Sequence, residues 1–246
     1  VFPAKDGEKG FKKALDNILA QAEKAVDEHK NFIILSDRFI SKEMAALPSL
    51  LVTAAVHHHL IQVQKRMQVG IIVETAEARE VMHFALLFGY GASIVNPYLA
   101  FATIDDLITA GEVPGQYGDA RKNYIKAIEK GLLKVFSKMG ISTLRSYHGA
   151  QTFEVLGVHD ELIEKYFKGT PARLGGVGFK EIAKEALMFH ENAFTESNES
   201  YLLKNEGIYH YRKDGEKHAW NPETIGLLQW STRTNDFQKY KEYANR

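Results

Sequence analysis

Cysteine is absent from this chain of 246 residues. That removes disulfides, thiolate nucleophiles, zinc–thiolate sites and iron–sulfur ligation from anything these residues do by themselves. An excess of positive charge is absent too. Lys plus Arg and Asp plus Glu both number 31, so no basic stripe is available to neutralise a phosphate backbone, and nucleic acid is not expected as a partner. No apolar run approaches the roughly 20 residues that cross a bilayer, and the opening "VFPAKDGEKGFKKALDN" lacks the apolar core of a signal peptide. A cytoplasmic protein with no membrane association is therefore expected. What is present is the balance of an ordinary globular protein, 45% hydrophobic and 25% charged, with enough length to bury a large core.

Helix and strand patterns alternate along the chain. Residues 10–30 place Phe11, Leu15, Ile18, Leu19 and Ala22 at helical spacing with Lys and Glu opposite, which predicts an amphipathic surface helix. "NFIILSDR" (31–38), "QVGIIVET" (68–75) and "ASIVNPY" (92–98) are short apolar bursts ending in polar residues, as in buried strands of a parallel sheet. Between them, residues 49–66 and 76–91 read as helices, the second closed by Gly89 and Gly91. This βαβ series predicts an α/β fold with the strand ends "SDR", "ET" and "NPY" on one edge, where ligands and partners gather in such sheets.

A Gly-rich break at 109–120 precedes a helix over 120–140. Residues 141–157 read as strand, turn and helix, and 166–194 as a loop feeding another helix. The tail from residue 205 alternates aromatic and charged residues before a helix that starts at Pro222. The change of texture places a boundary near residue 195, dividing the chain into 1–195 and 196–246.

Four features invite a chemical reading. His57, His58 and His59 are consecutive, so on a helix they point about 100° apart and cannot converge on one metal ion; packing or an interface is the better reading. Glu80 and His83 form one Glu-x-x-His pair, half of a di-iron carboxylate signature that needs a second copy the chain does not have. No metal site is expected. Arg173, Gly175, Gly176 and Gly178 precede a helix and are candidates for a phosphate-binding loop, against the commoner reading of a tight loop that needs glycine for positive φ or close packing. Asp37, Arg38, Glu74 and Arg79 put charge at strand ends, either as a site or as an ion-pair network that orders loops. No nucleophile–base pair follows from spacing.

The segments "ILSDR", "PSLLVTAAVHHHL", "VETAEAREVMHFALLFGYGA", "VNPYLA", "KGLLKVFSKMGISTLRSYHGAQTFEVLG" and "GTPARLGGVG", in order, resemble the central domain of the large ferredoxin- or NADPH-dependent glutamate synthases. "GEKHAWNPETIGLLQ" resembles the connection into that enzyme's FMN-binding domain. The resemblance implies a partial or degenerate (β/α) barrel-like domain of aldolase type over 1–195 and a connector over 196–246. It implies a fragment of an enzyme, an oxidoreductase, that makes two glutamates from glutamine, 2-oxoglutarate and reductant. The fragment would join an N-terminal amidotransferase domain to an FMN domain and help wall the ammonia tunnel, with "VTAAV" and "VNPY" as candidate wall segments. FMN and an iron–sulfur cluster are implied for the parent, none for this stretch, and no catalytic residue carries over. Location would be cytoplasmic, or plastid in a plant or alga. Two alternatives are an independent barrel-like enzyme binding FMN or a sugar phosphate through Arg173 and the glycines, and a pure docking module.

Overall fold

The computed structural model describes residues 1–195, 207–208 and 210–246. It contains two compact units, Val1–Thr195 and Glu196–Arg246. Residues 196–206, which open the expected connector, and residue 209 lie outside the described residues.

The first unit starts with β1 (Phe2–Pro3) and the long helix α1 (Gly7–Asp27). Phe11 and Leu15 of α1 are fully buried on the face that the spacing of apolar residues selects. There follow β2 (Phe32–Ser36), β3 (Met44–Ala45), α2 (Ser49–Gln62), β4 (Gly70–Glu74), α3 (Val81–Gly89) and β5 (Ile94–Asn96). β1 and β3 form a small antiparallel pair. β2, β4 and β5 form a parallel sheet in that order, with Ile33 beside Ile71, Ser36 beside Glu74 and Glu74 beside Asn96. The expected βαβ series is therefore present, and its strands end together on one edge.

Side chains alternate across this sheet. Ile33, Leu35, Ile71, Val73 and Val95 point into a core shared with Phe11 and Leu15 of α1, Leu51 and Val56 of α2, and Phe84 and Leu87 of α3. The opposite face is open: Phe32, Ile34 and Ile94 are 61%, 63% and 52% exposed. Helices thus cover one face of the parallel sheet. Among the described residues β2 has no strand partner on its outer side, where a cavity of about 490 Å³ lies between it and α1.

The chain continues through α4 (Tyr98–Thr109), α5 (Tyr117–Met139), α6 (Leu144–Tyr147), β6 (Val155–Val158), α7 (Asp160–Tyr166), β7 (Ala172–Val177) and α8 (Phe179–Phe194). Two expectations are corrected. Residues 141–157 form a short helix and then a strand, the reverse of the expected order, because Thr143 caps Leu144 onward by accepting from Ser146 N. Arg173, Gly175 and Gly176 lie in β7, which pairs in parallel with β6, and not in a loop. The glycine run hides a strand because Gly176 sits where a Cβ would come within 2.2 Å of Gly157 O.

In the second unit, α9 (Pro222–Thr234) starts at the expected proline, with Asn221 accepting from the backbone of Glu223 and Thr224. A further helix, α10 (Phe237–Ala244), packs against α9. No helix among the described residues is long and apolar enough to cross a membrane.

Candidate functional site

The common edge of β2, β4 and β5 gathers the polar residues of the strand ends. Parallel register sets Glu74 between Ser36 and Asn96. Its carboxylate accepts from Ser36 Oγ at 2.7 Å, Arg38 Nε at 2.7 Å and Asn96 Nδ2 at 3.2 Å. The Arg38 guanidinium, together with Ser36, holds the Glu74 carboxyl below its ordinary range. Arg38 also lies over the Tyr98 ring, 4.3 Å from its centroid.

Asp37, the next residue, is buried and turned the other way. It accepts from Thr75 Oγ1 at 2.8 Å and from Ala76 N at 3.0–3.1 Å. Burial, together with the Asp37 carboxylate, raises the Tyr98 phenol above its usual range, so the ring stays neutral. All four carboxylate oxygens of Asp37 and Glu74 are engaged, by donors from β2, β5 and the loops after β2 and β4. The arrangement fixes the loops after β2 and β4; it presents no nucleophile beside a free base.

Of the charges expected here, the structure brings Asp37, Arg38 and Glu74 together and leaves Arg79 out. Arg79 is anchored through its backbone: its N–H donates to His83 Nδ1 at 3.1 Å and its carbonyl accepts from Tyr124 Oη at 2.9 Å. Ser36, Thr75 and Asn96 lie in the strand ends "SDR", "ET" and "NPY" but are not among the charged candidates. Aligning the three strand ends in parallel register is the signal that finds them, since it sets each beside a named carboxylate.

Glu80 and His83 share a helix start rather than a metal. Glu80 is the N-cap of α3, and His83 reaches back so that Nδ1 also accepts from Glu80 N at 3.3 Å. The three histidines separate as helical geometry requires. His57 Nδ1 accepts from Arg66 Nε at 2.9 Å. His58 lies between two carbonyls, with Ala54 O 2.8 Å from Nδ1 and Lys168 O 3.1 Å from Nε2. His59 Nε2 pairs with Glu23 at 3.1 Å. Among the described residues no group of three or more His, Asp or Glu is placed to hold a metal ion.

The four residues of the glycine segment are not arranged around one point. Arg173 is exposed and pairs with Glu154 at 3.1 Å. Gly175 is unobstructed in β7, whereas Gly176 is pressed against Gly157. Gly178 N–H, the leading donor of α8, already holds the Glu181 carboxylate at 2.9 Å. The position where a phosphate would meet the helix start is thus filled by an anion of the chain itself. Ala54 and Ala55 of "VTAAV" are buried in α2, which packs on β2 and β4, and neither borders the cavity beside β2.

With this geometry in place, similarity to known proteins is informative. The family model "Glutamate synthase central domain" matches residues 1–159. The NADPH glutamate synthase large chain of Bacillus subtilis is 44% identical over 99% of this chain. The ferredoxin-dependent enzyme of Pyropia yezoensis and the NADH enzyme of Schizosaccharomyces pombe are each 40% identical over 99–100% of it. The chain spans only 12–17% of the length of these relatives. The solved NAD+ synthetase of Burkholderia pseudomallei aligns at 12% identity and a TM-score of 0.23, which carries no argument about fold. The chain belongs to the glutamate synthase central-domain family.

Proposed function

We propose that this chain is a connecting, non-catalytic part of a glutamate synthase large chain, placed between an amidotransferase domain and an FMN domain, and that it helps wall the path ammonia takes between them. The observation that carries this reading is the strand edge. Where an α/β enzyme would present reactive groups, Glu74 and Asp37 are saturated by structural donors. The open face of the parallel sheet supports it further. Parallel sheets are ordinarily covered on both faces, and the apolar row Phe32, Ile34 and Ile94 suits burial against other strands or domains of a longer chain. We read the one-sided helices and the outer edge of β2, unpaired among the described residues, as an arc of a barrel-like, aldolase-type architecture, with residues 196–246 leading toward the flavin domain.

FMN and an iron–sulfur cluster would belong to the parent enzyme. Without cysteine the chain supplies no cluster ligand, and a phosphate at α8 would have to displace Glu181. Arg173, Gly175, Gly176 and Gly178 are better read as strand-pairing and capping residues than as a cofactor loop. A wall for ammonia needs packed, weakly polar surface that keeps out bulk water; the open sheet face offers the apolar side chains, and other parts of the longer chain would pack on it. The parent would work in the cytoplasm, or in a plastid where the organism has one.

The test is a segment swap. This chain replaces the matching segment of the Bacillus subtilis large chain, and glutamine hydrolysis and glutamate formation are measured together. Glutamate formation coupled to hydrolysis, with none from the isolated chain, is the expected result. Loss of glutamate formation by a hybrid that is folded and flavin-loaded, with hydrolysis also lost, would overturn the connecting role.

A further inference from the structure

A second cavity, of about 970 Å³, opens beside the histidine run, between α2, the end of α3 and the segments around residues 145–153 and 168–170. Its charged and titratable lining is one-sided: Arg66, Arg145, Lys168, His57, His58 and His148 border it, and no Asp or Glu does among the described residues. In a chain with equal numbers of acidic and basic residues, that is a concentrated cationic site.

Arg66 is at its base. The guanidinium is partly buried and held rigidly, donating from Nε to His57 Nδ1 at 2.9 Å, from one Nη to Val69 O at 2.8 Å and from the other to Gly91 O at 2.7 Å. Gly91, at φ 107°, permits this, because a Cβ there would fall 2.2 Å from His57 Nδ1. All three acceptors are neutral, and among the described residues Arg66 has no carboxylate partner. Three of its five N–H donors are used, leaving two uncommitted. A second orphan sits nearby: His148 is held by a backbone hydrogen bond with Ala92, and its Nε2 is buried with no hydrogen-bond partner among the described residues. A desolvated cation without a counter-charge and a buried ring nitrogen without a partner are both costly unless a ligand completes them. Tyr90 and Phe153, stacked at 6.0 Å, supply an apolar wall.

We propose that this cavity binds an anionic group, a carboxylate or phosphate carried on a body that fits the aromatic wall, with Arg66 as the counter-cation and Arg145 and Lys168 at the rim. His57 accepts from Arg66 and is neutral, so it orients the guanidinium without adding a competing charge. The same carboxylate chemistry is available from a free metabolite or from an acidic side chain elsewhere in a longer chain.

The experiment titrates the 246-residue chain with benzoate and with inorganic phosphate, reading the ring nitrogens of His57 and His148 by NMR, against sodium chloride at matched ionic strength. Saturable shifts of His148 from either probe, absent with chloride, are expected. The exposed-rim variant Arg145→Glu, Lys168→Glu should keep its circular dichroism and unfolding midpoint and bind at least about tenfold more weakly, a loss of about 1.4 kcal/mol. Arg66→Gln should abolish binding; the rim variant keeps the test decisive if Arg66→Gln does not fold. Shifts that chloride reproduces, no saturation, or an unchanged affinity in the rim variant would overturn the proposal. Repeating the titration in the segment-swapped large chain separates the sources: retained binding identifies a free ligand, and lost binding identifies an internal carboxylate already seated there.

Discussion

Ser36 and Glu74 stand side by side at the ends of adjacent parallel strands, the hydroxyl donating to the carboxylate at 2.7 Å while Arg38 grips its other oxygen at the same distance. One side chain of β4 thereby ties together β2, the loop after it and, through Asn96, β5.

Glu74→Ala should destabilise the first unit by about 1–2 kcal/mol, because it removes the shared acceptor of three donors. Glu74→Gln should lose less, since the amide oxygen still accepts. Its carboxyl titrates below the ordinary 4.5 in the folded chain, so its contribution is present above that value and fades as pH falls through the lower folded value. Urea unfolding at pH 7 and pH 4 checks both; equal midpoints for Glu74→Ala and the parent chain would remove the strand-tying role.

His57 should make stability fall on mild acidification. Burial, then the neighbouring Arg66, His58 and His148, lower it from 6.5 to about 3. Between those values the unfolded chain takes up a proton that the folded chain refuses, so stability is full above 6.5 and declines toward 3. The slope is up to about 1.4 kcal/mol per pH unit for this one group. His57→Asn should flatten the pH 4–6 portion of the curve. An unchanged slope in that variant would assign the effect to other groups.

Gly175 and Gly176 should respond oppositely to the same added methyl group. Gly176→Ala drives a Cβ into the Gly157 backbone and should cost about 1–3 kcal/mol, loosening β6 from β7. Gly175→Ala meets nothing within 4 Å and should be nearly neutral. Thermal unfolding of the pair, with amide exchange at Leu156 and Leu174, distinguishes them. Equal effects would mean that β6 and β7 are not paired as described.

The purified chain should carry no flavin absorbance, and added FMN should keep its fluorescence. The start of α8 is capped by Glu181, and Arg173 is committed to an exposed pair with Glu154. Arg173→Ala should change stability by no more than about 0.5 kcal/mol. Stoichiometric FMN binding that Arg173→Ala weakens would restore the cofactor-loop reading.

Much of the architecture was legible without coordinates. α1 announces itself because burial of one face imposes a helical periodicity, β2, β4 and β5 because they are short apolar runs, although one face of that sheet is open here rather than buried, and Pro222 marks the start of α9 because proline suits a position with no N–H partner. The absence of cysteine also settled, from composition, that these residues supply no thiolate chemistry. Tertiary structure decided the rest. "RLGGV" reads as a loop, yet it is a strand, since the need for glycine at 176 comes from Gly157, nineteen residues earlier and visible only once the strands pair. Glu80 and His83 were visible as a pair, but only backbone geometry shows that they cap a helix. Arg66 carried no sequence signal at all. That no carboxylate among the described residues pairs with it is a property of what the fold places around it, because charge neutralisation acts through space and local patterning records only neighbours along the chain.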